Sequence, residues 1–241
     1  MNGIYEKCKA LYLEAFEDDE SFTDFLFESC FEKCCYYLTD GDEVVSMLFA
    51  FDVFLNFHKG KYIYAVATNK QYRGKGYMRK LFCKVENELK GEYSFFCLRP
   101  MNESLFEFYK KLGYEEKFYN REIVLKPCKS HSQQYIVKDT EFIRKIRKAF
   151  CDEIYIEYSD EFYLLLMWYC HIITDSIENP TYIVIKEKLS GKIKEFLGSQ
   201  SNLPFEIKGK ATTCNGNQRY AVFKGFNSQI DGKAYLGLAM D

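Results

Sequence analysis

The amino-acid sequence predicts an α/β fold, in which helices cover a β-sheet. A short β-rich apolar run at residues 62–68 leads into a glycine-containing loop at 71–76, and an amphipathic helix follows that loop. A longer run at residues 44–57 alternates between apolar and polar side chains in its second part, as strands of a sheet do. Helical and β-rich segments also follow one another along the rest of the chain, which is the pattern of helices layered on a sheet.

The length and the charge of the chain limit its class. Its 241 residues are enough for one large domain or two small ones. The 33 basic and 35 acidic residues give a formal net charge of −2, which indicates no basic surface for nucleic acid or for an anionic membrane. We therefore expect neither a nucleic-acid partner nor a membrane partner. The oligomeric state is not indicated.

The ten cysteines are expected to be reduced thiols. Residues 1–6 lack the basic and apolar regions of a signal peptide, which favours a cytoplasmic protein, and disulfides are rare in that compartment. Cys30, Cys34 and Cys35 come closest to a metal-binding cluster, but the nearest histidine in sequence is His58 and the chain has no C-x-x-C pair. We expect no metal site.

Two helices are predicted at the beginning of the chain. Residues 4–16 carry apolar side chains at roughly helical spacing. Ser21 and Asp24 resemble the capping box that begins a second helix. The acidic run at residues 17–20 either attracts a cationic amine or is a solvated turn that places negative charge at a helix N-terminus.

The strands that follow are separated by turn residues. A strand at residues 35–39 and the run at 44–57 flank a turn at 40–42. The face of the long run that is expected to be buried carries Met47, Phe49, Phe51, Val53, Leu55 and Phe57. Residues 58–61 predict a hairpin turn into the strand at 62–68.

The loop at residues 71–76 has the pattern Q-x-x-G-x-G, which suits a diphosphate. Gly74 and Gly76 let the backbone approach a bulky anion, because neither carries a Cβ atom. Amide groups that enter a helix can point at one phosphate, and the positive end of the helix dipole attracts it. Arg73 and Lys75 add full charges. The buried stripe of the following helix consists of Met78, Leu81, Phe82, Val85 and Leu89.

A strand and a second amphipathic helix complete this part of the chain. Gly91 is expected to end the first helix in a left-handed C-cap, and residues 93–98 form the strand. Asn102 is expected to cap the second helix, which Gly113 ends. Its predicted buried stripe consists of Leu105, Phe108 and Leu112. Residues 114–126 contain one or two further strands.

Two motifs together resemble the GCN5-related N-acetyltransferase (GNAT) family. The first is the Q-x-x-G-x-G loop at residues 71–76, and the second is N-x-x-x-x-x-F-Y-x-x-L-G-[FY] at residues 102–114. The resemblance covers residues 1 to about 127 and implies a mixed, mainly antiparallel sheet flanked by helices. It also implies an acyltransferase that uses acetyl-CoA as a co-substrate and needs no metal.

The resemblance also implies the residues of the donor site. In the family, the strand before the loop binds the pantetheine arm through its main chain, which corresponds to Val66 and Thr68 here. Asn102 either bonds to that arm or only caps its helix. The residues implied in binding the diphosphate are Gln71, Arg73, Gly74, Lys75, Gly76, Tyr77 and Met78.

Tyr109 matches the tyrosine that protonates the departing sulfur in many members of the family. A phenol with a pKa of about 10 is a proton donor at neutral pH. The general base has no such match, because residues 62–68 carry no carboxylate where some relatives have a glutamate. Three alternatives stay open: a chain of water molecules, an acidic side chain elsewhere, or the carboxylate of Asp241.

A polar stretch at residues 127–132 predicts a linker between a domain at 1–127 and a second domain at 133–241. The second domain is expected to be a smaller α+β module that walls the acceptor pocket, and it resembles the degenerate acetyltransferase-like module of larger bacterial acetyltransferases. The basic stretch at residues 144–148 is expected to be a solvated helix face. The expected helices lie at 139–151, 162–170 and 191–197, and the expected strands at 182–186, 205–212, 219–224 and 234–239.

These observations predict an N-acetyltransferase that moves an acetyl group to a primary amine by direct attack in a ternary complex. The alternative is a non-catalytic acyl-CoA-binding or regulatory protein on the same fold, which the missing strand carboxylate favours. The expected acceptor is a small-molecule amine or a peptide N-terminus. Acceptor loops vary more freely than donor sites, so an aminoglycoside, a polyamine and an amino acid all stay open.

Overall fold

The computed structural model describes residues 3–16, 18–126, 128, 133–151, 154–226 and 231–237. The chain forms two compact units that are interleaved along the sequence. The first unit comprises Met1–Glu115 with Phe223–Gln229, and the second comprises Glu116–Val222 with Ile230–Asp241. A segment near the end of the chain therefore belongs to the first unit. No pattern in the sequence indicates this assignment.

The elements of the first unit are α1 (Gly3–Phe16), α2 (Glu20–Cys34), β1 (Cys35–Asp40), β2 (Glu43–Leu55), β3 (His58–Thr68), α3 (Tyr77–Leu89), β4 (Phe95–Leu98) and α4 (Glu103–Lys110). The elements that follow are β5 (Glu115–Leu125), β6 (Tyr135–Ile136), α5 (Thr140–Phe150), β7 (Ile156–Tyr158), α6 (Asp160–Tyr169), β8 (Cys170–Thr174), β9 (Tyr182–Glu187), β10 (Ile193–Gly198) and β11 (Gly209–Gly225). The last three residues of β11 belong to the first unit. Among the described helices, none is long and apolar enough to cross a membrane.

The sheet of the first unit confirms the predicted mixed, mainly antiparallel fold. β1, β2 and β3 pair antiparallel, and β4 adds parallel to β3. Phe95 of β4 packs directly on the backbone of Gly60 in β3, where a Cβ atom would come within 2.4 Å of the ring. On β4, the Phe95 ring also stacks on Phe223 at 5.2 Å, and the N–H of Phe226 donates to the carbonyl of Ser94 at 2.8 Å. The segment at 223–226 thus completes the core of the first unit.

β2 is buried on both faces between Val44 and Phe51, rather than on one face as the alternation predicts. Helices cover each side of the strand. Phe49 contacts Tyr12 of α1, whereas the hydroxyl of Ser46 lies 3.9 Å from the sulfur of Met78 in α3. A strand covered on both faces is nearly continuously apolar, so its period of two is lost.

The β2–β3 hairpin turns earlier than predicted. Leu55 pairs with His58, so the turn consists of Asn56 and Phe57 rather than residues 58–61. Asn56 adopts a left-handed φ of 54°, which asparagine tolerates better than most residues. The predicted burial of Phe57 is wrong, because its side chain is fully exposed at the turn.

Three predicted helix boundaries or faces in the first unit are also wrong. Asp19, not Ser21, caps α2, since its carboxylate accepts from the N–H groups of Ser21 and Phe22. α3 ends at Lys90 in a right-handed conformation, and Gly91 takes no positive φ. On α4 the buried side chains are Phe106 and Tyr109 instead of the predicted Leu105, Phe108 and Leu112. The predicted left-handed Gly113 is confirmed, with a φ of 87°.

The sheet of the second unit has the order β11-β10-β9-β8-β6, and β5 pairs with β11. β10 runs parallel to β11, and β8, β9 and β10 pair antiparallel. Its core combines strand and loop residues: Leu125, Ile173, Tyr182, Val184, Ile193, Phe196, Leu203, Ile207 and Ala211. The helices predicted at 139–151 and 162–170 and the strand at 182–186 are confirmed as α5, α6 and β9.

Other predictions for the second unit are wrong. Residues 191–197 were expected to form a helix but belong mostly to strand β10, and β8 follows α6 without a sequence signal. The two strands predicted at 205–212 and 219–224 are joined in one long strand, β11, which begins only at Gly209. At 234–239, Ala234 and Tyr235 form isolated bridges to Phe118 and Tyr155, and residues 238–239 lie outside the described residues.

Arg147 also contradicts the predicted solvated face at residues 144–148. Its side chain is fully buried and pairs with Glu195 at 3.0 Å. The same carboxylate accepts a hydrogen bond from the hydroxyl of Tyr235 at 2.6 Å, and Arg147 also donates to the carbonyl of Leu236 at 3.4 Å. This buried ion pair holds the segment at 235–236 inside the second unit.

Candidate active site

The loop between β3 and α3 begins with a short turn at Lys70–Tyr72. Asn69 caps this turn, because its side-chain oxygen accepts from the N–H of Gln71 at 3.0 Å. Arg73 bends back towards β3 and donates from Nε to the carbonyl of Thr68 at 3.1 Å. The start of the loop is therefore fixed by its own side chains.

The two glycines of the loop are left-handed, with φ values of 77° at Gly74 and 79° at Gly76. No described atom lies within 4 Å of where a Cβ would stand at either position, so the need for glycine comes from the backbone angle. Gly76 is the N-cap residue of α3, and no side chain caps that helix. The first amides of α3 consequently have no intrahelical acceptor and suit an anion.

Aromatic and cationic side chains surround the loop. The ammonium of Lys75 lies 4.8 Å from the centre of the Tyr72 ring, and Tyr72 packs edge to face on Tyr77 at 5.7 Å. Tyr77 donates from its hydroxyl to Asp40 at 2.7 Å, and this hydrogen bond raises the pKa of Tyr77. The ammonium of Lys80 lies over the Tyr77 ring, 5.0 Å from its centre. The surface is positively charged beside the open helix end.

β3 leaves β4 before it reaches the loop. In the described part of the chain, the two strands pair at Gly60, Lys61 and Tyr62. Further along, the register with β2 shifts, and Ala65 takes a left-handed φ of 51°. A residue with a Cβ rarely adopts this angle, so Ala65 marks a bulge in the strand. Val66 and Thr68 lie beyond the bulge, on the part of β3 that has left β4.

Met78 and Thr68 meet at Ser46 of β2. The hydroxyl of Ser46 donates to the carbonyl of Ala67 at 3.0 Å and lies 3.3 Å from the hydroxyl of Thr68. The sulfur of Met78 is 3.9 Å from the same oxygen. Ser46 therefore ties the end of β3 to the first turn of α3, a role that no local sequence pattern predicts.

Tyr109 is buried in an aromatic cluster. Its ring contacts Phe82 of α3 at 5.7 Å, Phe108 at 5.2 Å and Tyr114 at 5.8 Å. Burial raises the pKa of Tyr109 above its usual range, so the phenol stays protonated at neutral pH. Its hydroxyl forms no hydrogen bond with the described residues, and no described contact joins Tyr109 to the loop at 71–76.

Asn102 caps α4. Its side-chain oxygen accepts from the N–H of Leu105 at 3.1 Å and from the hydroxyl of Ser104 at 2.7 Å. The structure thus shows the capping role that the sequence left open. Its side-chain amide nitrogen is not used by the cap.

The acidic run after α1 divides into two roles. Asp19 caps α2, as a helix-capping turn requires. Asp18 instead accepts a hydrogen bond from the hydroxyl of Tyr12, which lies 3.2 Å from the hydroxyl of Tyr64 in β3. Glu17 and Asp241, which the sequence analysis also considered, lie outside the described residues. Within the described residues, no group of three or more histidine, cysteine or acidic side chains could hold a metal ion.

An open helix N-terminus behind two left-handed glycines, on an α/β domain, is an arrangement that suits an anion. Residues 2–116 match the family model of the acetyltransferase (GNAT) domain. This part of the chain is therefore a GNAT acetyltransferase domain, and the chain is an acyltransferase. None of the curated proteins compared with the chain matches it.

Solved structures resemble the chain over most of its length. A GCN5-related N-acetyltransferase from Anabaena variabilis ATCC 29413 has a TM-score of 0.69 at 12% identity, and the match covers 94% of this chain and 71% of that one. A GCN5-related N-acetyltransferase from Kribbella flavida has a TM-score of 0.64 at 13% identity, and the match covers 94% of this chain and 71% of that one. Eis1 from Mycobacterium abscessus has a TM-score of 0.64 at 8% identity, and the match covers 94% of this chain and 72% of that one. At these identities the likeness shows the fold.

Proposed function

We propose that the chain is an acetyl-CoA-dependent N-acetyltransferase that transfers the acetyl group to a primary amine by direct attack in a ternary complex. The observation that carries the proposal is the Q-x-x-G-x-G loop at residues 71–76, which leads into the uncapped N-terminus of α3 within a GNAT domain. A helix end of this kind offers several amides and a favourable dipole to a diphosphate.

The residues of the loop fit the diphosphate of acetyl-CoA. Gly74 and Gly76 leave open space above the backbone, and the ammonium of Lys75 lies beside it. Gln71, Tyr77 and Met78 belong to the same loop and helix start, and we propose that they flank the diphosphate. Arg73 is already bonded to the carbonyl of Thr68, so its guanidinium would reach a phosphate only through its remaining N–H groups.

The pantetheine arm fits the part of β3 that has left β4. We propose that the main chain of Val66 and Thr68 bonds to the amides of the arm, as an added strand would. The bulge at Ala65 supports this placement, because it turns β3 away from its neighbour at that point. We propose that Asn102 contributes through its side-chain amide nitrogen.

The chemistry requires a neutral amine, a stabilised oxyanion and a proton for the departing thiolate. The nitrogen lone pair forms the new bond to the carbonyl carbon, and the carbon–sulfur pair leaves with the sulfur. We propose Tyr109 as the acid that protonates this sulfur. Burial keeps its phenol protonated at neutral pH, so a proton is available for the departing sulfur.

We also propose that the second unit is a degenerate acetyltransferase-like module. The match of solved acetyltransferase structures over most of the chain supports this assignment. The expected acceptor is an amine on a small molecule or a peptide N-terminus.

The test measures binding and turnover separately. Isothermal titration with acetyl-CoA gives the affinity, and release of free CoA is followed with putrescine, an aminoglycoside, free lysine and a peptide with a free N-terminus. The proposal predicts binding and amine-dependent CoA release with at least one of these amines. Binding without any release would support the rival function, a non-catalytic acyl-CoA-binding protein. Absence of binding would contradict both.

A further inference from the structure

A chain of three hydroxyl and carboxylate groups runs from β3 to the connection between α1 and α2. The hydroxyl of Tyr12 donates to a carboxylate oxygen of Asp18 and lies 3.2 Å from the hydroxyl of Tyr64. Tyr12 is fully buried, whereas Tyr64 and Asp18 are half-buried. The buried middle member is therefore joined at both ends to groups that reach towards the surface.

The hydrogen bonds have one consistent direction. Tyr12 uses its single proton to bond to Asp18, so the proton between the two tyrosines must come from Tyr64. In this direction the hydroxyl of Tyr64 is the donor to Tyr12. The titratable groups that act on the Tyr12 hydroxyl are Asp18 and Tyr64, and burial raises the pKa of Tyr12, which keeps this phenol protonated.

The outer end of the chain lies at the bulge of β3. Tyr64 directly precedes Ala65, the left-handed residue beyond which β3 has left β4. β3 carries no carboxylate of its own between His58 and Thr68, so a carboxylate that serves as the base has to lie on another element. The tyrosine pair links this strand to such a carboxylate.

We propose that Tyr64, Tyr12 and Asp18 form a proton relay that serves as the general base of the acetyl transfer. This inference rests on the proposed function and adds the path of the proton. When the amine nitrogen bonds to the acetyl carbon, its proton passes to the Tyr64 oxygen, while the Tyr64 proton moves to Tyr12 and the Tyr12 proton moves to Asp18. The thiolate takes its proton from Tyr109. Asp18 then releases one proton to water and Tyr109 regains one, so the balance closes.

Tyr64 is the catalytic residue of the relay, because in this proposal it takes the proton from the amine. Tyr12 and Asp18 act through it. Because two phenols stand between them, the carboxylate of Asp18 does not have to reach the acetyl group. The proton moves along the hydrogen bonds, so no side chain has to move.

The test compares Asp18→Asn, Tyr64→Phe and Tyr12→Phe with the wild-type chain. The acceptor is whichever of putrescine, an aminoglycoside, free lysine and a peptide with a free N-terminus the wild type acetylates fastest. Each variant should lower kcat by about 10²-fold or more, the usual contribution of a general base, with unchanged affinity for acetyl-CoA. Asp19→Asn is the matched control, because it removes the same charge one residue away and asparagine still caps a helix; its kcat should stay within about twofold of the wild type.

The pH profile separates a relay from a structural role. The wild-type kcat should be level through neutral pH, because the relay ends on a carboxylate that accepts the proton. For Asp18→Asn, kcat should instead rise about tenfold per pH unit, because only solvent then removes the proton. If Tyr12→Phe does not fold, Tyr64→Phe tests the same step at a half-buried position. An Asp18→Asn enzyme with wild-type kcat and a level profile would overturn the relay alone, whereas a wild type that binds no acetyl-CoA or acetylates no amine would overturn the proposed function as well.

Discussion

Three residues around the donor loop take positive φ angles, and only two of them are glycines. Gly74 and Gly76 adopt these angles without cost, whereas Ala65 pays about 1–2 kcal/mol for a left-handed backbone. Such strain persists only where the surrounding structure enforces it, and it is common at binding sites. The β2–β3 pairing on either side of Ala65 enforces it here. The bulge and the glycine loop thus define the two ends of the proposed donor site.

The glycine loop gives the first prediction. Gly76→Val should raise the dissociation constant for CoA at least tenfold, about 1.4 kcal/mol, because valine at a φ near 79° would distort the amides at the start of α3. Calorimetric titration measures the change. Gly191→Val is the control, since Gly191 has a comparable φ of 70° but lies in the second unit. If a folded Gly76→Val protein binds CoA as tightly as the wild type, the diphosphate does not bind at this loop.

Tyr109 gives the second prediction. Tyr109→Phe should lower kcat by about 10²–10⁴-fold with little change in CoA affinity, because only the proton donor is removed. Stability should change little, since the hydroxyl makes no hydrogen bond to the described residues. Tyr114→Phe removes a buried hydroxyl from the same aromatic cluster and should leave kcat near the wild-type value. If the two variants have similar turnover, Tyr109 is a packing residue.

At the scale of elements, local sequence patterns predicted most helices and failed where partners are distant. Ile193, Phe196 and Leu197 follow helical spacing, yet they belong to β10, because this strand is buried on both faces and its charged Glu195 is paired with Arg147. Arg147 and Glu195 are 48 residues apart, so no local stretch of sequence shows why these two charged side chains are buried. The same limit hid the relay, since Asp18 and Tyr64 are joined only in the fold.

The glycine loop was predictable for the opposite reason. The identity of Gly74 and Gly76, the apolar strand before them and the amphipathic stripe after them all lie within one short window. A left-handed backbone at a strand-to-helix junction needs glycine there whatever the rest of the fold does. The bulge at Ala65 had no such marker, because alanine is not a residue that favours positive φ.

Lys224 gives a prediction about the element that completes the first unit. Its ammonium bonds to Glu86 of α3 at 2.7 Å and to the carbonyl of Leu112 at 2.8 Å, with little exposure of either charged side chain. Lys224→Met should therefore lower the free energy of unfolding by about 1–3 kcal/mol, because it leaves the Glu86 carboxylate without its cation. Urea unfolding followed by circular dichroism measures this change.

The control for Lys224 lies on the same strand. Arg219 pairs with Glu116 at 2.7 Å, but both side chains are more than a third exposed. Arg219→Met should cost less than about 1 kcal/mol, as exposed pairs usually do. Equal losses in the two variants would show that the Lys224 ion pair contributes no more than a surface contact.

At the scale of the whole molecule, the two units share one chain in an interleaved order. The first unit takes Phe223–Gln229 from a position after most of the second unit, and Phe223 stacks on Phe95 inside the first core. β5 and β11 run in opposite directions, since Glu116 pairs with Arg219 and Glu122 with Lys210. A cut at the polar stretch near residue 127 would therefore remove the segment at 223–226 from the first unit.

The last prediction tests this interleaving with two shortened chains. A chain of residues 1–126 lacks Phe223 and Lys224, so it should lose cooperative unfolding and bind CoA at least tenfold more weakly than the full chain. A second chain joins residues 1–126 to 209–226 through a short Gly-Ser linker. This chain restores the pairing of β5 with β11 and the packing of Phe223 on β4. It should recover cooperative unfolding and CoA affinity, measured by urea titration and calorimetry. Full CoA affinity in the 1–126 chain would show that the C-terminal segment is dispensable for the donor site.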